Sequence, residues 1–182
     1  MIKKITGRFS LFELMIITLL AAMGIAVKSV ITPLVHLVTG PLFIPGGVVA
    51  GGIYMLFLVL AVSLTGKRSG AFLCGFCQGL MILIMGAGGS HGALSVISYS
   101  LPGLAVDLMM LILRHKGCCL FCCFFGGMAA NLTGTLIVNA AFFEMPAIAL
   151  ALSLVVAALS GGFGGVLAWV FTKQLKKLGI IR

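Results

Sequence analysis

The reading of the chain turns on Ser29–Gly66, SVITPLVHLVTGPLFIPGGVVAGGIYMLFLVLAVSLTG. These 38 residues, bounded by Lys28 and Lys67, contain no Asp, Glu, Lys or Arg. As one helix at ~1.5 Å per residue they would overrun a hydrocarbon core of roughly 30 Å. The run must therefore break, and its turn signals are Pro33, Gly40-Pro41 and Pro45-Gly46-Gly47. A second uncharged run, 69–106, breaks at Gly86–Gly92. Beyond Arg114-His115-Lys116, two further apolar runs are separated by Glu144-Met145-Pro146. The pattern predicts six helices, over 9–30, 44–66, 69–87, 93–113, 117–141 and 147–173.

Composition agrees. Of 182 residues, 62% are apolar or aromatic and only 8% are charged, with a mean hydropathy of +1.29. Soluble domains carry about 25% charged residues, so a water-soluble globule is excluded. The expectation is an all-α, polytopic membrane protein, a single six-helix transmembrane domain over 1–182. The net charge of +9 then reads as a topology signal and not as a nucleic-acid surface. Lys3, Lys4 and Arg8 precede helix 1, Lys67 and Arg68 join helices 2 and 3, and Arg114 and Lys116 join helices 4 and 5. Lys173, Lys176, Lys177 and Arg182 follow helix 6. By the positive-inside rule both termini are cytoplasmic, with Lys28 the exception, snorkelling to headgroups at the outer end of helix 1. The first apolar run lacks a small-residue cleavage site and reads as a transmembrane helix, not a signal peptide.

Glycines cluster at small-xxx-small spacing, Gly47–Gly51 and Gly161–Gly165, which lets helix backbones approach. They serve packing within the bundle or association with a partner helix. Polar side chains inside a membrane mark pairs, cavities or pathways. His91, Ser95, Ser98 and Pro102 share one face leading into and along helix 4, with Tyr99 beside it. Asn131, Thr135 and Asn139 share one face of helix 5. The two stripes predict a hydrogen-bonding cavity opening outward, against the plainer reading of polar groups that join helices. Around its mouth lie loop one, Ile31–Ile44, with His36 and long enough to form a lid, the Gly-rich loop three, and Glu144. Asp107 and Glu13, nearer the cytoplasmic side, are expected to pair with basic residues or with a partner protein. Gln78 is expected to bond a neighbouring helix.

Cys74-x-x-Cys77 and Cys118-Cys119-x-x-Cys122-Cys123 have ligand-like spacing. They lie in apolar helices toward the reducing side, where cysteine packs as a small apolar residue. No metal site, cofactor or catalytic residue is expected, since HExxH, Walker A and acid-rich transferase motifs are absent from the sequence. If the chain transports actively, another subunit supplies the energy.

The length, six helices, interior termini and glycine content resemble the substrate-binding S component of energy-coupling factor (ECF) vitamin transporters. Helix 1 carries the small pattern Ala22-Met23-Gly24-Ile25-Ala26, similar to the Ala-x-x-x-Ala with which such S components dock the transmembrane T protein. Gly40-Pro41-Leu42-Phe43-Ile44-Pro45-Gly46 looks most like the thiamine and hydroxymethylpyrimidine branch, although Ile44 stands where that branch often has an acid. The resemblance implies a bacterial plasma-membrane subunit of an ABC-type importer that binds a vitamin or related heteroaromatic nutrient. It implies partnership with a T protein and two cytoplasmic ATPases. Its ligand site falls on His91, Ser95, Tyr99, Asn131, Thr135 and Asn139, with His36 in the lid and Ala22 and Ala26 at the docking face. The alternative is a stand-alone homo-oligomeric secondary transporter or channel.

Overall fold

The computed structural model describes residues 9–39, 46–85, 92, 94–115, 117, 119–143 and 145–179. Its elements are helices: α1 (Leu11–Thr39), α2 (Gly46–Thr65), α3 (Gly70–Met85), α4 (Leu94–Ile112), α5 (Leu120–Val138) and α6 (Ala147–Lys177). α5 runs on into a π-helical turn, Asn139–Phe143. All except α3 are long and apolar enough to cross a membrane; α3, at 16 residues, is shorter. The chain is thus the all-helical, polytopic membrane protein its sequence predicts.

α2 is the centre of the bundle. It carries no charge and is apolar on every side, which suits lipid and protein interior alike; here protein surrounds it. α1, α3, α5 and α6 pack against it, with a smaller contact from α4. Leu58, Val59, Ala61 and Val62 on it are essentially sealed. α3 pairs with α4, α4 with α5, and α5 with α6.

The first loop differs from expectation. α1 does not end near residue 30 but continues through Pro33 to Thr39, so 31–39 is helix and not part of a lid. A proline inside a helix costs about 3 kcal/mol. Prolines are nonetheless tolerated within membrane helices, where neighbouring groups take up the freed backbone carbonyl. α6 likewise extends to Lys177.

The glycines of α6 are used inside the bundle. A Cβ on Gly164 would fall on the carbonyl of Gly52 in α2, and one on Gly161 or Gly165 would meet the α5 backbone at Gly127 or Cys123. Ser160 fastens the same contact: its Oγ accepts from Gly52 N at 3.0 Å and donates to Val49 O at 2.5 Å. Gly47, by contrast, meets nothing.

At the end carrying Lys67, Glu13 closes a capping box with Ser10 and receives Lys67 Nζ at 2.7 Å. This is the basic partner expected for Glu13. Asp107 meets backbone instead: its Oδ2 accepts from Phe72 N at 2.8 Å, so a carboxylate of α4 caps the start of α3. The described cysteines lie in the core or pack against it. Cys74, Cys122 and Cys123 are buried, Cys119 and Cys122 form the N-terminal cap of α5, and Cys123 Sγ lies 3.6 Å from Ser63 Oγ. Among the described residues no group of three His, Cys, Asp or Glu side chains is arranged to hold a metal ion.

Candidate functional site

The polar groups of the opposite half centre on Lys28. It lies 15 residues beyond Glu13 on α1, about 22 Å along the axis at ~1.5 Å per residue. That places it well into the far half of a core of roughly 30 Å. Its side chain turns toward α4 and α2. Nζ donates to the hydroxyl of Tyr99 on α4 and stands 4.3 Å from the Tyr99 ring centroid and 5.4 Å from that of Tyr54 on α2. Both distances are within cation–π range. Thr32, one turn beyond Lys28, lies 3.1 Å from the Tyr54 hydroxyl, Oγ1 to oxygen. The chain has two tyrosines, and both face this one amine. Three helices, α1, α2 and α4, meet at the cluster.

The sequence singled out Tyr99 but neither Tyr54 nor Thr32, and it assigned Lys28 to the lipid surface. A signal was available: Lys28 and Thr32 are one turn apart on one face, and Lys28 is the one basic residue away from the basic end. Ser95 precedes Tyr99 by one turn on α4; it is fully buried and its Oγ has no partner among the described residues.

The α5 stripe divides in role. Asn131 is 2% exposed, and its Nδ2 donates to Val48 O at 3.3 Å and to Ala157 O at 2.9 Å. It therefore joins α5 to α2 and α6, with Gly51 directly against its amide. This geometry fits the plainer reading of that residue. Asn131→Ala is expected to destabilise the bundle by about 1–2 kcal/mol, measured by chemical unfolding in detergent; an unchanged midpoint would show that these two bonds contribute nothing. Asn139 accepts from Met145 N at 2.9 Å and so holds the π-helical turn to the start of α6. Thr135 is buried on the same face. His36 has its backbone on α1, with its side chain outside the described residues; His91, Glu144 and Cys118 also lie outside them.

On the outer surface of α1, Ala22, Met23 and Ala26 are exposed, whereas Gly24 and Ile25 turn inward. Gly24 receives the buried Gln78 of α3. The alanine pair is thus a smooth strip facing away from the bundle.

The fold matches that of a solved protein described as an S-component of an ECF transporter, with a TM-score of 0.80 at 19% identity over 94% of this chain and 88% of that one. The chain belongs to the family described as "ABC-type cobalt transport system, permease component", whose model matches residues 12–133. It is accordingly a transport protein of the cell membrane, not an enzyme. No curated protein matches it.

Proposed function

We propose that this chain is the high-affinity substrate-binding membrane subunit of an ECF-type ABC importer, energised by a separate T protein and two cytoplasmic ATPases. The observation that carries this reading is the S-component fold over 94% of a chain that belongs to an ABC permease family. The basic end is the cytoplasmic one, and residues 1–182 act as one transmembrane unit. Ala22 and Ala26 form the docking strip for the T protein, a role suited to their outward placement. Ligand is taken up at the opposite end, where Tyr99 and Ser95 lie, with Thr135 and Asn139 contributing from α5 and its π-helical turn, and with His36 and His91 as candidates from the sequence alone. Asn131 supports that wall through its ties to α2 and α6.

The cargo is a small heteroaromatic nutrient, with thiamine or its pyrimidine precursor the first candidates from the resemblance. The family description names cobalt, and His36 and His91, whose side chains lie outside the described residues, are of a type that could meet a metal-containing ligand. The described polar groups at this end, an amine, hydroxyls and amides, suit hydrogen bonding and ring contact with an organic molecule. A homo-oligomeric carrier is less favoured, because the glycine face of α6 is already occupied by α2 and α5.

The test is a mild-detergent pull-down of the tagged chain from its native membranes, with mass spectrometry of proteins and released small molecules. A membrane T-type protein with two ATPases is the expected recovery. A lone homo-oligomer, reproduced after crosslinking, would overturn the importer reading.

A further inference from the structure

Two aromatic rings converge on one cation in the half of the bundle away from the basic end. The Lys28 ammonium stands 4.3 Å from the ring centroid of Tyr99 and 5.4 Å from that of Tyr54, and it donates to the Tyr99 hydroxyl. The rings come from different helices, α4 and α2, and each is oriented from α1. Lys28 holds Tyr99, and the Thr32 hydroxyl lies 3.1 Å from that of Tyr54. A pair of π faces arranged in this way is a site for a cation. Lys28, Thr32, Tyr54 and Tyr99 are all half-buried, so the pair is within reach of an entering molecule.

Lysine is a weak occupant of such a site. Its ammonium is compact and strongly hydrated, and it gains little from a ring face that solvent can reach. It also has an alternative position. With Glu13 ion-paired at the basic end and Lys28 ~22 Å farther along α1, about 8 Å of a core of roughly 30 Å remains beyond it. A long lysine stem covers much of that span by snorkelling. A planar heteroaromatic cation is the better occupant, because it adds stacking and burial of its apolar face to the same charge–ring attraction.

We propose that Tyr54 and Tyr99 form the subsite for a cationic ring of the transported ligand, and that the Lys28 ammonium competes with the ligand for this subsite. The inference rests on the substrate-binding reading above and separates its two first candidates. Thiamine has a fixed thiazolium charge to exchange for the ammonium; its neutral pyrimidine precursor has none. On exchange, Lys28 swings outward and the Tyr99 hydroxyl becomes available to the ligand. One positive charge replaces another, so the exchange is balanced whatever other charges face the cluster.

The experiment uses the full-length chain in lipid nanodiscs and equilibrium binding of labelled thiamine and of its labelled hydroxymethylpyrimidine precursor. Lys28→Met is expected to tighten thiamine about tenfold while leaving the pyrimidine within about twofold. Tyr54→Leu should weaken thiamine about tenfold, and Tyr54→Phe, which keeps the ring, should hold it near the wild-type value. Melting of each variant in the same nanodiscs separates loss of the subsite from loss of fold; if Tyr54→Leu melts early, the Lys28→Met comparison decides. Thiamine affinity that Lys28→Met lowers or leaves unchanged would overturn the assignment. So would an equal gain for both molecules, which makes Lys28 a steric obstacle only, or a failure of wild type and Lys28→Met alike to bind thiamine. Pyrimidine binding without thiamine binding would overturn the subsite and leave the importer reading intact. The expected thiamine pattern without recovery of a T protein and ATPases would overturn the importer reading and leave the subsite.

Discussion

Gly164→Ala is expected to destabilise the protein by roughly 3 kcal/mol, a large share of the ~5–15 kcal/mol by which folded proteins exceed their unfolded states. The added methyl group would fall on the carbonyl of Gly52. That atom belongs to the backbone of the central helix and has no rotamer through which to retreat. α2 and α6 would have to separate, and the Ser160 bonds to Gly52 N and Val49 O would be lost with the close approach. Gly47→Ala is the matched comparison. Gly47 meets no atom within 4 Å, and replacing glycine by alanine in a helix gains up to ~1 kcal/mol from propensity. Unfolding midpoints of the two variants in the same detergent should therefore move in opposite directions. Equal shifts would show that the α2–α6 contact is looser than this geometry requires.

Tryptophan in place of Ala22 or Ala26 is expected to leave ligand binding intact and to lower uptake by at least ~100-fold. Both alanines face outward, where lipid accommodates a larger side chain, so the fold has no reason to fail. A partner helix seated on that strip would meet an indole, and a clash worth ~3 kcal/mol at a packed contact corresponds to about two decades in affinity. Ile84→Trp supplies the control, since Ile84 is equally open to the surroundings on α3. Uptake in cells is compared with binding by the purified chain. Normal transport by both alanine variants would remove α1 as the docking face.

Much of the bundle was legible before any coordinates. Runs without charge marked the helices, and turn residues marked most of their ends. Glu13 found the basic partner its position suggested. Pro33 does not end α1, because a proline is tolerated inside a membrane helix where neighbouring groups take up the freed carbonyl. The role of Asn131 was hidden for another reason: a polar residue on a membrane helix reads alike whether it faces a ligand or carbonyls of the neighbouring helices.

Hydropathy and charge alone determined the helical class and the separation of basic from uncharged ends. Both follow from a solvent that accepts no unsatisfied backbone and few ions. The tertiary structure decided which face of each helix turns inward. In water, a helix records that choice as an apolar stripe. Here lipid and core are both apolar, so the stripe carries little information. Only packing shows that Lys28 turns toward Tyr54 and Tyr99, that Gly164 lies on Gly52, and that Ala22 and Ala26 face outward.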